Sequence, residues 1–320
     1  MKKQLLIISS LALLALSACN SNKKPEGQTD NGKYDYVFLA QPVVTAVMQN
    51  RQGMSLYANV QNDYKGKSGG LEITQASVFV KSTADEEKVN RFLTMLKNDV
   101  TTLLSNPSQE ITTATSGMEE ERITGKLGGK PAMLANLLAN GNQLGVGYKE
   151  ALSNKSAIDA FIGTIGLPAS REEIYFTTTE ADAASNLELN VAVPAGAPAI
   201  AFYKHLNDSK LDVDAAETVV AYLSSNSSKD VVVAPTNAGI AAINKGADFK
   251  LAATITFGNF FIVATGNDDD GVMNKGDKVL AFQENGVPGK IFNYVYGDRE
   301  LDVKFAKDVQ EAKNTILTEK

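Results

Sequence analysis

One local grammar repeats along most of this chain and limits what it can fold into. A short apolar run ends, a turn rich in Pro, Gly, Asn or Thr follows, and a helix begins. Asp230-Val-Val-Val-Ala234 reads as a buried strand, Pro235-Thr-Asn-Ala-Gly239 as its turn, and Ile240 to Asn244 as a short helix. Leu187 to Val193 is a strand leading into Pro194-Ala-Gly196. Pro198 then stands where a first helical turn tolerates proline, and the helix continues from Ile200 to Leu206. Asp214 with Glu217 resembles a capping box ahead of Val219, Val220, Tyr222 and Leu223. Leu251 to Ile255 and Phe260 to Thr265 are strands around Thr256-Phe-Gly-Asn259. Lys278 to Gln283 is a strand, Glu284 to Gly286 a turn, and Val287 to Tyr296 a helix; Asp302 to Ala306 and Asp308 to Thr318 repeat the alternation.

The N-terminal half has the same pattern. Tyr36 to Ala40 is a strand, Gln41-Pro42 a turn, and a helix runs through Met48. Leu56 to Val60 and Ile73 to Lys81 are strands, and Thr83 with Glu86 resembles a capping box. Behind it Val89, Phe92, Leu93, Leu96, Val100, Leu103 and Leu104 recur at offsets of three and four, which predicts one buried helix face. The polar stretch from Pro107 to Lys130 is expected to hold one helix near Glu119. Pro131 to Asn140 and Ala157 to Ile165 are apolar helices, and Thr177 to Asn186 is a polar connector. Such alternation implies an α/β fold with mainly parallel sheets, whose ligands bind at the carboxyl ends of strands.

The only cysteine, Cys19, closes the run Leu16-Ser-Ala-Cys19 behind Lys2, Lys3 and an apolar stretch from Leu5 to Leu16. That stretch is too short to span a bilayer. The pattern resembles a bacterial lipoprotein signal, with residues 1–18 as signal peptide and Cys19 lipidated. Stable anchoring needs more than one acyl chain. Asn20 to Lys33 carries no aliphatic or aromatic residue, so residues 19–33 are expected to form a flexible tether. The expected location is the outer face of the cell membrane, lipid-anchored, with a soluble folded part. Removal of the signal leaves no thiol for catalysis, disulfide or metal beyond the lipidated one.

Several chemistries find little support. The acidic balance (net charge −6) lacks the basic stripe that nucleic acid needs. His205 is the only histidine, which argues against a metal site and is expected to be a satisfied or surface side chain. Asn267-Asp-Asp-Asp-Gly271 lacks the EF-hand spacing and reads as an exposed turn. No Gly-x-Ser-x-Gly elbow occurs. The chain is expected to be no enzyme and to need no cofactor or metal.

The segment from Leu189 to Tyr296 resembles the extracytoplasmic substrate-binding proteins of ABC importers, in the type II branch that includes binders of nitrate, alkyl sulfonates and thiamine precursors. The resemblance rests on Val191-Ala-Val-Pro-Ala-Gly-Ala-Pro198, Asp230 to Gly239, Lys245 to Ala253, Gly258 to Val263, Lys278 to Phe292 and Tyr34 to Pro42. In that family the first of these motifs opens the folded chain and the last stands in the middle. Here the order is reversed, so the chain looks circularly permuted, with Thr177 to Asn186 joining the family's usual termini. The resemblance implies a two-lobed periplasmic-binding-protein fold: residues 71–180 and 187–260 in one lobe, 34–55 and 266–320 in the other. Residues 56–70 and 260–265 would form a hinge of two crossing segments. It also implies a small-molecule ligand, an ABC permease as partner and a monomeric state.

The turns at strand ends supply the candidate ligand-binding residues: Gly196, Ala197 and Pro198; Thr236, Asn237 and Ala238; Thr256, Gly258 and Asn259; Asn285, Gly286 and Val287; and Gln41. Such turns expose backbone N–H groups, although Pro and Gly also serve as plain chain reversals. No Arg or Lys falls among them, so the expected ligand is small and polar. An alternative is a surface lipoprotein using the same fold for adhesion, sensing or assembly without transport.

Overall fold

The computed structural model describes residues 34–268 and 270–319. The signal-like segment, Cys19 and the tether lie outside the described residues. In chain order the elements are β1 (Tyr36–Ala40), α1 (Val43–Asn50), β2 (Ser55–Asn59), α2 (Val60–Lys67), β3 (Thr74–Lys81), α3 (Glu86–Ser105), α4 (Pro107–Thr115), α5 (Glu120–Leu127), α6 (Pro131–Ala139), β4 (Val146–Glu150), α7 (Lys155–Thr164), β5 (Val191–Pro194), α8 (Ala197–Ile200), β6 (Leu211–Asp214), α9 (Ala216–Ala221), β7 (Val231–Pro235), α10 (Thr236–Asn244), β8 (Phe249–Phe257), β9 (Phe260–Ala264), β10 (Lys278–Phe282), α11 (Val287–Tyr296), β11 (Asp302–Ala306) and α12 (Val309–Thr318).

Local chemistry accounts for most boundaries and corrects some expectations. Helix α3 buries Val89, Phe92, Leu93, Leu96, Val100 and Leu103, while Leu104 is exposed. Its cap is Asp85, whose side chain accepts from the Lys88 N–H; Thr83 is not the cap. Asp214 ends β6 and caps nothing, and α9 starts without a side-chain cap. Helix α8 stops at Ile200, and Tyr203–His205 forms a separate 3-10 turn. The stretch behind Pro107 holds two helices, α4 and α5, separated at Gly117 in the left-handed region. Proline sits in the first turn of α4, α6, α8 and α11, where a missing N–H costs nothing.

The strands form two sheets flanked by helices. One has the order β11-β10-β1-β9-β2, the other β4-β8-β3-β7-β5-β6. The expectation of mainly parallel sheets is corrected: both are mixed. In the first, β11, β10 and β1 are parallel, and β9 runs against both β1 and β2. In the second, β7, β5 and β6 are parallel, β3 runs against β7 and β8, and β4 runs against β8. The reason is the route between sheets. The chain leaves β2 at its carboxyl end, passes through α2, and enters the other sheet as β3. It returns through Gly258-Asn259 from β8 to β9. A strand that enters a sheet at the end where its parallel strands finish must run opposite to them.

The sheets share one design. β6-β5-β7-β3-β8 and β11-β10-β1-β9-β2 have the same order and directions, and each has an inserted antiparallel strand from the other half. A sequence repeat accompanies this. Gly196, Pro198, Phe202, Asp208 and Leu211-Asp-Val213 recur at identical spacing as Gly286, Pro288, Phe292, Asp298 and Leu301-Asp-Val303.

Core packing follows the sheets. Helices α3 to α6 and α8 cover one face of the six-stranded sheet, burying Val78, Val80, Phe92, Leu96, Leu134, Val191 and Ile255. Its other face, with Phe79, Leu251 and Ile240, is continuous with the core of the five-stranded sheet. There the Phe38 ring lies tilted 5.2 Å from Phe260, stacked 5.4 Å from Phe282 and edge-on 5.4 Å from Phe292; each such pair contributes about 0.5–1.5 kcal/mol beyond area burial. The ends of the described chain meet. The Tyr34 N–H donates to Glu319 Oε1 at 2.7 Å, and Arg51 Nη1 reaches Glu319 Oε2 at 2.8 Å.

Candidate functional site

Both passages between the sheets lie at strand carboxyl ends, so the ends of β1, β2, β7 and β8 converge on one junction. Two crossing segments pack there with no space to spare. A Cβ on Gly258 would stand 2.7 Å from Gln61 Oε1 and 2.9 Å from Ile73 Cδ1. Gln61 Oε1 accepts the Ile73 N–H at 3.1 Å, which ties α2 to the start of β3.

Gln41 and Asn259 clasp each other. The Gln41 N–H donates to the Asn259 carbonyl at 3.0 Å, and Asn259 Nδ2 donates to the Gln41 carbonyl at 3.0 Å. Gln41 Nε2 donates to Gln143 Oε1 at 2.8 Å, and its Oε1 accepts from the Thr45 hydroxyl at 3.0 Å. The Gln41–Gln143 bond links the five-stranded half to the loop ahead of β4 in the other half. Two further bonds do the same: Tyr64 OH with Thr164 Oγ1 at 3.2 Å, and Lys290 Nζ with the Ile165 carbonyl at 2.6 Å.

A row of hydroxyls runs into this junction. Thr236, at the start of α10, pairs with Ser77 Oγ at 2.8 Å, and Ser77 pairs with Thr254 Oγ1 at 3.2 Å. Thr236 is fully buried because α10 lies close on β3; a Cβ on Gly239 would meet the Phe79 ring at 2.0 Å. Two residues on from Thr254, Thr256 is 1 % exposed and its hydroxyl has no partner. Asn259 Oδ1, Thr74 Oγ1 and Gln75 Oε1 are likewise buried and unpartnered. These are four of the six such side-chain atoms among the described residues; the others are Arg91 Nε and Asn154 Nδ2. Thr74, Gln75 and Thr256 lie on adjacent strands, where Thr74 pairs with Phe257 and Ala76 with Thr256, and Asn259 follows β8 by two residues; as successive strand residues, Thr74 and Gln75 point to opposite faces of the sheet. Most buried polar groups have partners, so this concentration needs an explanation.

Charge sits beside the junction, already paired. Glu72 accepts from Lys65 at 2.7 Å and Lys149 at 2.6 Å. Burial would raise the Glu72 carboxyl, but the hydrogen bonds from Lys149 and Lys65 outweigh it and hold it below its usual range. Lys149 also lies 5.5 Å from the centre of the Phe257 ring.

The structure thus brings Gln41, Thr256, Gly258 and Asn259 together, with Thr236 at the head of the hydroxyl row. Asn237 and Ala238 follow on the first turn of α10, half-buried, and Asn237 makes no side-chain hydrogen bond among the described residues. The remaining turns stand apart from the hydrogen-bonded cluster. Gly196, Ala197 and Pro198 are roofed by the end of α5: the Gly196 N–H donates to the Lys126 carbonyl at 2.9 Å. Asn285 and Gly286 line a cavity of about 510 Å³ between the ends of β10 and β11, with Val287 opening α11 behind them. Gln143, Gln61, Thr74, Gln75 and Ser77 also belong to the junction, and most carry no signal in the sequence. Ser77, a hydroxyl inside the apolar run Ile73 to Lys81, was the one visible signal.

Other features are accounted for locally. His205 Nε2 pairs with Asp99 Oδ2 at 3.0 Å, and Lys204 holds the other oxygen at 2.9 Å. No side-chain hydroxyl bonds to His205 among the described residues. In the acidic loop, Asp268 accepts from the Tyr36 hydroxyl and Asp270 from the Val272 N–H and Asn274 Nδ2. No group of three acidic, His or Cys side chains suited to a metal occurs among the described residues. None of the described helices is long and apolar enough to cross a membrane. Comparison with protein-family models, curated proteins and solved structures finds no match.

Proposed function

We propose that this chain is an extracytoplasmic solute-binding lipoprotein of the type II periplasmic-binding-protein fold, circularly permuted, that delivers a small polar ligand to an ABC importer. In this reading the two sheets with their helices are the two lobes; of the hinge expected at residues 56–70 and 260–265, the strands β2 and β9 belong to the five-stranded sheet, so the hinge narrows to α2 and Gly258-Asn259. Cys19 anchors the protein near its permease. One observation carries the proposal: two sheets of identical design face each other through their carboxyl ends and share a junction lined by amides and hydroxyls. Ligands of open α/β sheets bind at such ends, and closure about crossing segments is a common way to enclose them. Permutation requires the family's usual ends and the new ends each to lie close together. The Tyr34–Glu319 contact is consistent with this at the new break.

Thermal-shift screening tests the reading, using nitrate, sulfonates, pyrimidines, amino acids and vitamins. A ligand at a hundred times its Kd stabilises by about 2.7 kcal/mol, which moves Tm by about 4–5 °C in a chain this size. The expected hit loses its effect in Asn237→Ala and Thr236→Ala. No stabilisation by any of these solutes counts against transport and favours adhesion, sensing or assembly.

A further inference from the structure

We propose that the cavity enclosed by α3, β4 and the connector from Thr177 to Asn186 is a saccharide-binding site, separate from the junction and independent of the solute-binding reading. It measures about 460 Å³ and adjoins a second cavity of about 390 Å³; Lys97, Tyr148 and Glu150 line both. Sites for small ligands usually measure about 300–1,000 Å³. Helix α3 supplies Lys97, β4 supplies Tyr148 and Glu150, and the connector supplies Thr178. The walls are tied together: the Thr179 N–H donates to Asn90 Oδ1 at 2.8 Å, and the Ala184 N–H to the Arg91 carbonyl at 3.2 Å. β4 is an edge strand, and its pairing with β8 shifts register between Val146 and Lys149, the stretch that holds Tyr148. Such irregularities re-aim side chains.

Three groups on these walls are unclaimed. The Tyr148 hydroxyl makes no hydrogen bond among the described residues, and burial, then the Glu150 charge, push its pKa up, so it stays a neutral donor. Glu150 Oε2 accepts from the Thr178 hydroxyl at 3.0 Å, which leaves Oε1. Lys97 Nζ stands 3.9 Å from that oxygen, too far for a hydrogen bond. A donor and an acceptor held apart in this way select a group that does both jobs. A ligand hydroxyl seated between them accepts from Lys97 and donates to Glu150. An anion would meet Lys97 but press on Glu150, and a cation would do the reverse. A neighbouring hydroxyl of the same ligand takes the Tyr148 O–H. Adjacent hydroxyls on a rigid ring are the chemistry of a saccharide, and the second cavity gives room for a second ring.

Calorimetry on the full chain tests the proposal with glucose, galactose, N-acetylglucosamine, maltose and lactose, against acetate and ethylammonium as singly charged controls. Tyr148→Phe keeps the ring and removes only an unbonded hydroxyl, so Tm should not change. Lys97→Met keeps an unbranched side chain and removes the ammonium. The expected result is that at least one saccharide binds, neither control does, and each substitution weakens that affinity about tenfold, the effect of one lost hydrogen bond. Failure of every saccharide to bind overturns the proposal, as does binding of acetate or ethylammonium alone; neither outcome touches the solute-binding reading. A fall in Tm in Tyr148→Phe gives the hydroxyl a structural role and overturns its assignment to a ligand. A saccharide whose affinity survives both substitutions but is lost in Asn237→Ala belongs to the junction, which overturns this site and supports the other.

Discussion

Gly258→Ala tests how closely the two crossing segments are packed. The added Cβ would stand 2.7 Å from Gln61 Oε1, 2.9 Å from Ile73 Cδ1 and 3.2 Å from Ile73 Cβ. Neither neighbour gives way freely. Gln61 Oε1 is held by the Ile73 N–H at 3.1 Å, and Ile73 is β-branched, fully buried and stiff at χ1. Overpacking a filled site costs about 1–3 kcal/mol. Displacing Gln61 adds about 1 kcal/mol for the lost hydrogen bond. The sum is about 2–4 kcal/mol, or a fall in Tm of about 3–7 °C. The backbone of Gly258 is not in the left-handed region, so the whole effect is steric. The control is Gly125→Ala in α5, where nothing lies within 4 Å; that change should stabilise by about 0.5–1 kcal/mol. Urea unfolding followed by circular dichroism measures both. A cost below about 0.5 kcal/mol for Gly258→Ala would refute the close-packed junction.

Further predictions concern the periphery. Asp99 is pushed up by burial but pulled further down by hydrogen bonds from His205 and Lys204, so its carboxyl titrates below the usual range. A depressed folded pKa gives stability that is present above the unfolded value of 3.8 and lost as pH falls through the folded one; Asp99→Asn should lower Tm at pH 7 and flatten the acid limb of the Tm–pH curve. The Tyr296 phenol is raised by burial and then by Asp63, to which it donates. Its contribution is full below pH 10 and is lost as pH rises through the folded value, so Tyr296→Phe should cost about 1.5–3 kcal/mol at pH 7 and reduce alkaline sensitivity in pH-dependent melts. Cys19→Ser should abolish labelling by radioactive palmitate in cells and release the protein from the membrane fraction; retained labelling would contradict lipidation at that residue.

The parts of the fold that were legible in the sequence are those where burial is continuous. The strand–turn–helix run from Lys278 to Tyr296 reads directly, because an apolar strand meets a proline that can only sit in a first helical turn. Helix α2 was hidden: it buries only Val60, Gln61 and Tyr64, so its polar sequence shows no apolar stripe. β4 and β6 are short edge strands rich in glycine or charge, and neither displays a buried alternation. Strand direction is not legible in the sequence, because it depends on where the chain enters a sheet, which no residue pattern records. At the junction, Gln41, Thr256 and Asn259 stood out as polar residues at strand ends. Thr74, Gln75 and Gln143 did not, since only the passage between sheets brings them there. The Gly196 and Asn285 turns look alike in sequence, yet α5 covers one and the other opens onto its own cavity.

The most direct measurement of the account is the distance between the two halves with and without ligand. Thr236, Thr256 and Asn259 are buried, so a solute reaches them only if the halves part. With Cys19 replaced, Thr112→Cys on α4 and Asn314→Cys on α12 provide specific spin-label sites on exposed helix positions. Double electron–electron resonance should show a longer-distance population in the free protein that collapses onto a single short distance when a stabilising solute is added. A single distance that is unchanged by every solute that binds would contradict a two-lobed receptor closing on its ligand.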